Sequence, residues 1–233
     1  MRQKKYLLLV LALLVLVAEV GTVGATSTVY AYVANFGSNT TSVINTTTNI
    51  VSSTVTVGVN PIGIAVNPSG TYAYATNYGN SSVSVINAST NTVSATINVG
   101  VNPVGIAVNP SGTYAYVANR GSNSVSVINT ITNTVSATVT VGVNPYGISV
   151  NPTGTYAYTA NYGSNSVSVI NTTTNTVSAT VTVGVNPIGI AVNPSGRYAY
   201  AANYGNSSVS VINASTNTVS ATINVGTNPY GVA

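Results

Sequence analysis

Short apolar runs separated by turn-forming residues recur along this chain with a fixed period of 42 residues. Within most runs, valine, isoleucine and alanine alternate with serine, threonine and asparagine, which is the two-residue period of a β-strand. A repeat of this length indicates one supersecondary unit that buries its apolar faces by stacking on its neighbours. The clearest marker is a Tyr-Ala-Tyr-x-x-Asn block, which occurs at 30–35, 72–77, 114–119, 156–161 and 198–203.

Each unit contains four short strands of increasing polarity. In the second copy the first run, Gly63–Val66, is wholly apolar, which predicts a strand buried on both faces. Tyr72 and Tyr74 are two residues apart, so both lie on one face of the second strand, where we expect them to pack between units. The fourth run, Thr92–Val99, alternates apolar and polar residues. This gradient favours the radial strand order of a propeller blade over a β-solenoid, which also gives an even period.

The predicted fold class is therefore all-β, a β-propeller of four-stranded antiparallel blades. The chain enters the repeat at a second strand, Val29–Asn35, and ends with a lone first strand, Asn228–Ala233. Together these incomplete units make one blade, which predicts five blades with the C-terminal strand closing the first blade. The alternative is a fragment of a longer propeller, because the near identity of copies two and five indicates duplication in threes.

Residues 1–25 have the features of a cleaved signal peptide. Arg2, Lys4 and Lys5 form a basic start, and Leu7–Ala18 is an apolar run followed by small residues. That run is shorter than the about 20 apolar residues that span a bilayer, so a signal peptide is preferred over an uncleaved anchor. Residues 26–233 are then the propeller, predicted to be secreted or at the cell surface and to have no membrane span.

Beyond the leader the chain has almost no ionisable side chains. Arg120 and Arg197 are its only charged residues after position 25, where Asp, Glu, Lys, His and Cys do not occur. Acid–base and nucleophilic catalysis need such residues, as do the common metal sites. We therefore expect no enzyme activity, no cofactor and no metal. Two arginines cannot neutralise a row of phosphates, so no nucleic-acid partner is expected either.

The repeat resembles the YVTN β-propeller family, which is typical of archaeal and bacterial surface-layer proteins. The resemblance covers the whole mature chain and rests on Tyr116-Val117-Ala118-Asn119, the Ser-Val-Ser-Val-Ile-Asn run at 124–129, Thr132–Val135 and the Asn-Pro-Tyr-Gly turn at 144–147. The family commonly has Asp where Asn129 stands. Because Asn makes the same turn bond without charge, the fold is expected to survive while an acidic or cation-linked role is lost.

Two varied loop positions form the candidate ligand-binding site. Loops after the second and fourth strands of antiparallel blades emerge on one face of the ring. Aromatic side chains with one arginine can stack on sugar rings and bond a hydroxyl or carboxylate. The other interpretation is that they cover blade edges and that the arginine is solvated. The candidates are Phe36, Tyr78, Arg120, Tyr162 and Tyr204 at one position, and Tyr146 and Tyr230 at the other.

Seven Asn-x-Ser/Thr sequons are candidate glycosylation sites, although a chain rich in Asn, Ser and Thr also makes sequons by chance. Glycans would oppose self-association of an almost uncharged β surface. The sequons are at Asn39, Asn45, Asn80, Asn87, Asn171, Asn206 and Asn213.

These observations predict a non-enzymatic, exported structural or adhesive module of the cell surface. The alternative function is a lectin-like propeller that binds a glycan or small ligand through the aromatic loops. The expected partners are other cell-surface proteins, cell-wall glycans or further copies of the chain.

Overall fold

The computed structural model describes residues 29–233, and the predicted signal peptide lies outside them. The nineteen strands of this part of the chain are six or seven residues long and are joined by tight turns. In chain order they are β1 (Tyr30–Asn35), β2 (Thr40–Asn45), β3 (Ile50–Thr56), β4 (Pro61–Val66), β5 (Tyr72–Asn77), β6 (Ser82–Asn87), β7 (Thr92–Asn98), β8 (Pro103–Val108), β9 (Tyr114–Asn119), β10 (Ser124–Asn129), β11 (Thr134–Thr140), β12 (Pro145–Val150), β13 (Tyr156–Asn161), β14 (Ser166–Asn171), β15 (Thr176–Thr182), β16 (Pro187–Val192), β17 (Tyr198–Asn203), β18 (Ser208–Asn213) and β19 (Thr218–Asn224).

The strands form five antiparallel sheets arranged as propeller blades. Blade 1 contains β1–β3, and blades 2 to 5 contain β4–β7, β8–β11, β12–β15 and β16–β19. Each strand pairs with the next one in the chain, so every blade is a meander of hairpins. The first strands β4, β8, β12 and β16 contact one another and are innermost. This arrangement confirms the predicted all-β propeller of four-stranded antiparallel blades.

Asparagine rather than glycine makes most of the tight turns. Of the fifteen non-glycine residues with positive φ, all but Ser81 and Ser207 are asparagines. Asn tolerates the left-handed region because its short amide bonds the local backbone. In the β2–β3 turn, for example, Asn49 has φ 55° and the Oδ1 of Asn45 accepts hydrogen bonds from the amides of Thr47 and Thr48. The abundance of asparagine is therefore a requirement of the turns.

The hydrophobic core lies between neighbouring blades. At the interface of blades 2 and 3, Tyr74 and Ile97 pack with Ile106, Val117 and Ile128, and Tyr72 packs against the same cluster. Each of the four interfaces contains one tyrosine of this kind, 0–2% exposed, which confirms that the strand-two tyrosines are packing residues. These tyrosines are Tyr32, Tyr74, Tyr116 and Tyr158.

The first strand of each blade is less buried than its sequence predicts. In β8 three of the six residues are only partly buried, whereas in β9 and β10 five of six are buried. The reason is position, because an inner strand faces the axis of the propeller on one side. The second and third strands have a neighbouring blade on both faces.

The inner strands approach each other backbone to backbone. A Cβ atom built on Gly105 would lie 2.4 Å from the carbonyl oxygen of Tyr146, and one on Gly147 would lie 2.4 Å from that of Ile188. No side chain fits at this distance. Glycine at the third position of the inner strand therefore sets the spacing between blades.

The C-terminal segment does not close the first blade as predicted. Residues 225–233 contain no strand, and the sheet of blade 1 has three strands in the described part of the chain. The segment packs on blade 5 instead, since a Cβ on Gly189 would lie 2.6 Å from the carbonyl oxygen of Tyr230. It thus occupies the inner-strand position next to blade 5. Among the strands of residues 29–233, extensive contacts join successive blades only, so blades 1 and 5 are not packed against each other.

Candidate functional site

The first varied position lies in the loop after the second strand, whereas Tyr146, at the second position, is the second residue of β12 and is not in a loop. The amide of Tyr78 donates to the carbonyl of Asn60 at 3.0 Å, and the amide of Arg120 donates in the same way to Asn102 at 3.0 Å. Each bond connects the loop after a second strand to the segment that leads into the first strand of the same blade. The two varied positions therefore lie at the same end of the blade, as the sequence predicts.

A linker asparagine holds each of these loops from the next blade. The Nδ2 of Asn102 donates to the carbonyl of Tyr78 at 3.2 Å, and the Nδ2 of Asn144 donates to that of Arg120 at 3.2 Å. Both asparagines have positive φ, 52° and 50°. The sequence analysis did not identify these positioning residues, because an Asn before Pro is indistinguishable from an ordinary turn signal.

Arg120 is the one charged side chain on this face in the described part of the chain. It is half-buried, and its Nη1 lies 3.4 Å from the hydroxyl of Tyr78, which is a long hydrogen bond. Its Nε is buried and has no hydrogen-bond partner among the described residues. No Asp or Glu occurs after position 25. A guanidinium in these surroundings has unused donors and no side-chain carboxylate within the chain to match them.

Tyr146 and Tyr230 form a second contact on this face. Their rings meet edge to face with centroids 5.9 Å apart, and their hydroxyls are hydrogen-bonded to each other. Burial and the bond with Tyr146 raise the pKa of Tyr230, while the charge of Arg120 lowers it. At neutral pH this phenol stays protonated, which suits a hydrogen-bonding role and not a general base.

The structure pairs four of the seven candidate binding residues, Tyr78 with Arg120 and Tyr146 with Tyr230. Phe36, Tyr162 and Tyr204 lie on equivalent loops and are half-buried. The carbonyls of Phe36 and Tyr162 accept hydrogen bonds from the Nδ2 of Asn60 and Asn186, and the amide of Tyr204 donates to the carbonyl of Asn186. Whether any of these side chains binds a ligand stays a prediction.

Arg197 lies apart from this cluster, in the turn between β16 and β17 at the opposite end of the blade. Its side chain is exposed, and its Cζ lies 5.8 Å from the centre of the Tyr198 ring. This is a local cation–π contact with no further group converging on it. Solvation explains Arg197 adequately.

The seven sequon asparagines share one feature of geometry. Their Oδ1 atoms accept hydrogen bonds from backbone amides, as in Asn80, whose Oδ1 accepts from the amide of Val59 at 3.2 Å. Their Nδ2 atoms, which are the atoms that N-glycans modify, donate no bond to another described residue. Asn80 and Asn206 are exposed, and the other five are half-buried. The hydrogen bonds of all seven are those of Asn39, Asn45, Asn80, Asn87, Asn171, Asn206 and Asn213.

Residues 29–233 offer no group of three or more metal-ligating His, Cys, Asp or Glu side chains. Within the same range no helix is both long and apolar enough to cross a bilayer. The groups that this face offers to a ligand are therefore phenol, guanidinium and backbone groups.

Comparison with known proteins identifies a propeller without identifying a function. Residues 88–171, well under half of the chain, match the family model "Lactonase, 7-bladed beta-propeller". No curated protein matches the chain.

Two solved structures share the fold. Hydrazine Synthase of Kuenenia stuttgartiensis aligns with a TM-score of 0.65 and 19% identity over 87% of this chain and 85% of that one. A functionally unknown protein from Desulfotomaculum acetoxidans DSM 771 aligns with a TM-score of 0.78 and 15% identity over 88% and 68%. At these identities the likeness shows the β-propeller fold alone.

Proposed function

We propose that the chain is an exported, non-enzymatic β-propeller of the YVTN-repeat type, and that it acts as a structural or adhesive module of the cell surface. One observation carries this proposal: packing uses the side chains of the repeated motif. Tyr116 is 1% exposed and Asn119 is 0% exposed, so the residues that recur in every copy build blade interfaces. Among residues 29–233 no charged or thiol side chain recurs from copy to copy.

The similarity to a lactonase family supports the propeller more than it supports catalysis. Within the matched segment, 88–171, Arg120 is the only charged side chain. Hydrolysis of a lactone needs a group that activates water or the ester carbonyl. We expect no turnover of lactones above the uncatalysed rate. Turnover that is lost in Arg120→Gln would overturn this view and make the Arg120 face an active site.

The location is tested by the intact mass and the accessibility of the protein in its native cells. We expect a mass that corresponds to cleavage near position 25, with sugar-sized increments from occupied sequons, and digestion by protease added to whole cells. A precursor-length mass together with protection from external protease would contradict the proposal. Replacing Asn80 and Asn206 by Gln should remove the increments from those two sites, and Asn98→Gln, at an exposed asparagine outside a sequon, is the matched control.

A second candidate function is the binding of an anionic glycan at the Arg120 face. The observation that favours it is that the half-buried Arg120 makes one long side-chain hydrogen bond, to Tyr78, on a face where Tyr204 occupies the equivalent loop. A uronic acid supplies a carboxylate for the guanidinium and a sugar ring for aromatic stacking. The guanidinium fork binds a carboxylate in a two-point manner that lysine cannot reproduce.

This second candidate is tested by titration calorimetry with an oligouronate and with the neutral oligosaccharide of the same length. Loss of a charge-assisted bond costs roughly 1.5–3 kcal/mol, so Arg120→Gln should weaken oligouronate binding by about tenfold or more. Arg197→Gln removes the same charge from the opposite face and should bind as the unaltered protein does. Equal affinity of Arg120→Gln and Arg197→Gln would exclude the site.

A further inference from the structure

The outermost strand of each blade has a free edge. It pairs with the strand before it and with no other strand among residues 29–233. Edge strands are commonly kept from pairing with another chain by lysine, proline, a bulge or a cover. The five outermost strands contain no charged residue and no proline. In β11 a bulge at Ser136 is the protection that remains, and Ala137–Thr140 pair regularly with β10.

Sequons lie at both ends of this edge in blades 1, 2 and 5. In blade 2, Asn87 ends β6 and pairs with Thr92, the first residue of β7. Asn80 lies at the other end of β7, since the carbonyl of the next residue, Ser81, accepts a hydrogen bond from the amide of Val99. Glycans at these two asparagines would obstruct the approach of another strand to the edge of β7.

Blade 3 differs from the other four blades in having no sequon. Blades 1, 2 and 5 have two sequons each, and blade 4 has one, at Asn171, whereas residues 102–143 contain none. The turn between β10 and β11 lacks its sequon because Ile131 stands where the other copies have Ser or Thr. Ile131 is 79% exposed, more than any other large apolar side chain of residues 29–233. Blade 3 thus has an apolar side chain where we expect glycans in the other blades.

We propose that β11 pairs antiparallel with β11 of a second copy of this chain, so that two blade 3 sheets become one continuous sheet. This pairing rests on the exported, glycosylated state proposed above, because glycans at one or both ends then obstruct the edge of every other blade. A second copy fits the edge because identical strands related by a two-fold axis are antiparallel and complementary in their backbone hydrogen bonds. No charged side chain of β11 opposes the contact, and Ile131 lies at the end of the paired edge.

Lysine substitution distinguishes the edge of blade 3 from that of blade 2. Thr138 is exposed on β11, so Thr138→Lys should leave the folded monomer unaltered. In the two-fold pair the two lysines face the same contact, where like charges oppose pairing. Thr96→Lys is the matched control, because Thr96 is exposed at the equivalent position of β7. Ile131→Thr completes the sequon at Asn129 and should add a glycan to blade 3.

Sedimentation velocity of the protein purified from its native cells tests the pairing. The unaltered glycosylated chain and Thr96→Lys should both be dimers, and Thr138→Lys should raise the dimer dissociation constant by about tenfold or more. Ile131→Thr should gain one sugar-sized mass increment and lose the dimer.

A glycosylated chain that is monomeric, alone or bound to a different protein, would overturn the pairing of β11 and leave the proposed cell-surface function intact. Equal effects of Thr138→Lys and Thr96→Lys would overturn it as well. A chain without sugar increments would overturn the selection of blade 3 by glycans, while digestion by protease added to whole cells decides the location separately.

Discussion

Blades 2 and 5 have nearly the same sequence and different surroundings. Residues 71–100 and 197–226 differ only where Thr71 and Thr76 correspond to Arg197 and Ala202, and both segments form the same strands. Blade 2 lies between two neighbours. Blade 5 has blade 4 on one face and only the C-terminal segment near the other. Tyr74 is consequently 1% exposed, and its counterpart Tyr200 is half-buried.

The comparison separates what a repeat encodes from what its neighbours supply. The strands, turns and register of blade 5 are those of blade 2, so the local sequence is sufficient for them. Burial of the apolar faces depends on the adjacent blade, as expected for an array in which stability is the sum of unit and interface contributions. The interfaces are therefore the place where the two blades can be distinguished by experiment.

The largest expected effect is unfolding at alkaline pH, because it acts on all four interfaces at once. Burial raises the pKa of Tyr32, Tyr74, Tyr116 and Tyr158, one tyrosine for each covered interface. The unfolded chain loses these protons near pH 10, before the folded chain does, so stability is complete below about pH 10 and falls as the pH rises further. Circular dichroism melts from pH 7 to pH 12 measure this loss.

The same melts at acid pH provide the contrast. The whole chain has one acidic residue and no histidine, so hardly any side chain titrates between pH 2 and pH 8, and the melting temperature should stay nearly constant there. Tyr32→Phe removes a buried hydroxyl that has no partner among the described residues. It should move the alkaline transition to higher pH without loss of stability at pH 7. A transition that does not move would mean that other groups control alkaline unfolding.

Replacing the isoleucine of the outer strand by alanine, in blade 2 or in blade 5, should give the next largest effect on stability. Ile97 and Ile223 lie in identical strands, Thr92–Asn98 and Thr218–Asn224, but are 5% and 48% exposed. Ile97→Ala should lower the free energy of unfolding by about 2–5 kcal/mol. Ile223→Ala should lower it by less than about 1 kcal/mol, because little buried volume is lost. Urea denaturation of dilute samples measures both. Equal losses would show that blade 5 is covered in solution.

Much of this fold is predictable from the sequence because one pattern occurs five times. The period of 42, the alternation of apolar and polar residues and the Pro and Gly turns determine the four-stranded blade. The arrangement of the ends is not predictable in this way. Counting the strands assigns Asn228–Ala233 to blade 1, but the packing of Gly189 against the Tyr230 backbone fixes where that segment lies. The distance between Gly189 and Tyr230 depends on the angle between blades.

The candidate site is predictable only in outline. Variation between copies identifies the loops that carry Tyr78 and Arg120, since positions that differ among otherwise identical repeats are not needed for packing. The pairing of Tyr146 with Tyr230 spans two blades, so it depends on how tightly the inner strands converge. The burial of the Arg120 Nε is likewise a result of packing, for which the sequence contains no signal.

The smallest expected effect comes from replacing the asparagine that ends the second strand, Asn119 in blade 3 and Asn35 in blade 1. Asn119 donates to Ser124 and Ser126 at 3.1 and 2.9 Å and is fully buried. Asn119→Ala therefore removes two buried hydrogen bonds and should cost about 1–3 kcal/mol. Asn35 makes the equivalent bonds but is half-buried, and water can replace its amide. Asn35→Ala should cost no more than about 0.5 kcal/mol. Urea denaturation of dilute samples measures both costs, and equal costs for the two substitutions would contradict the difference in burial between Asn35 and Asn119.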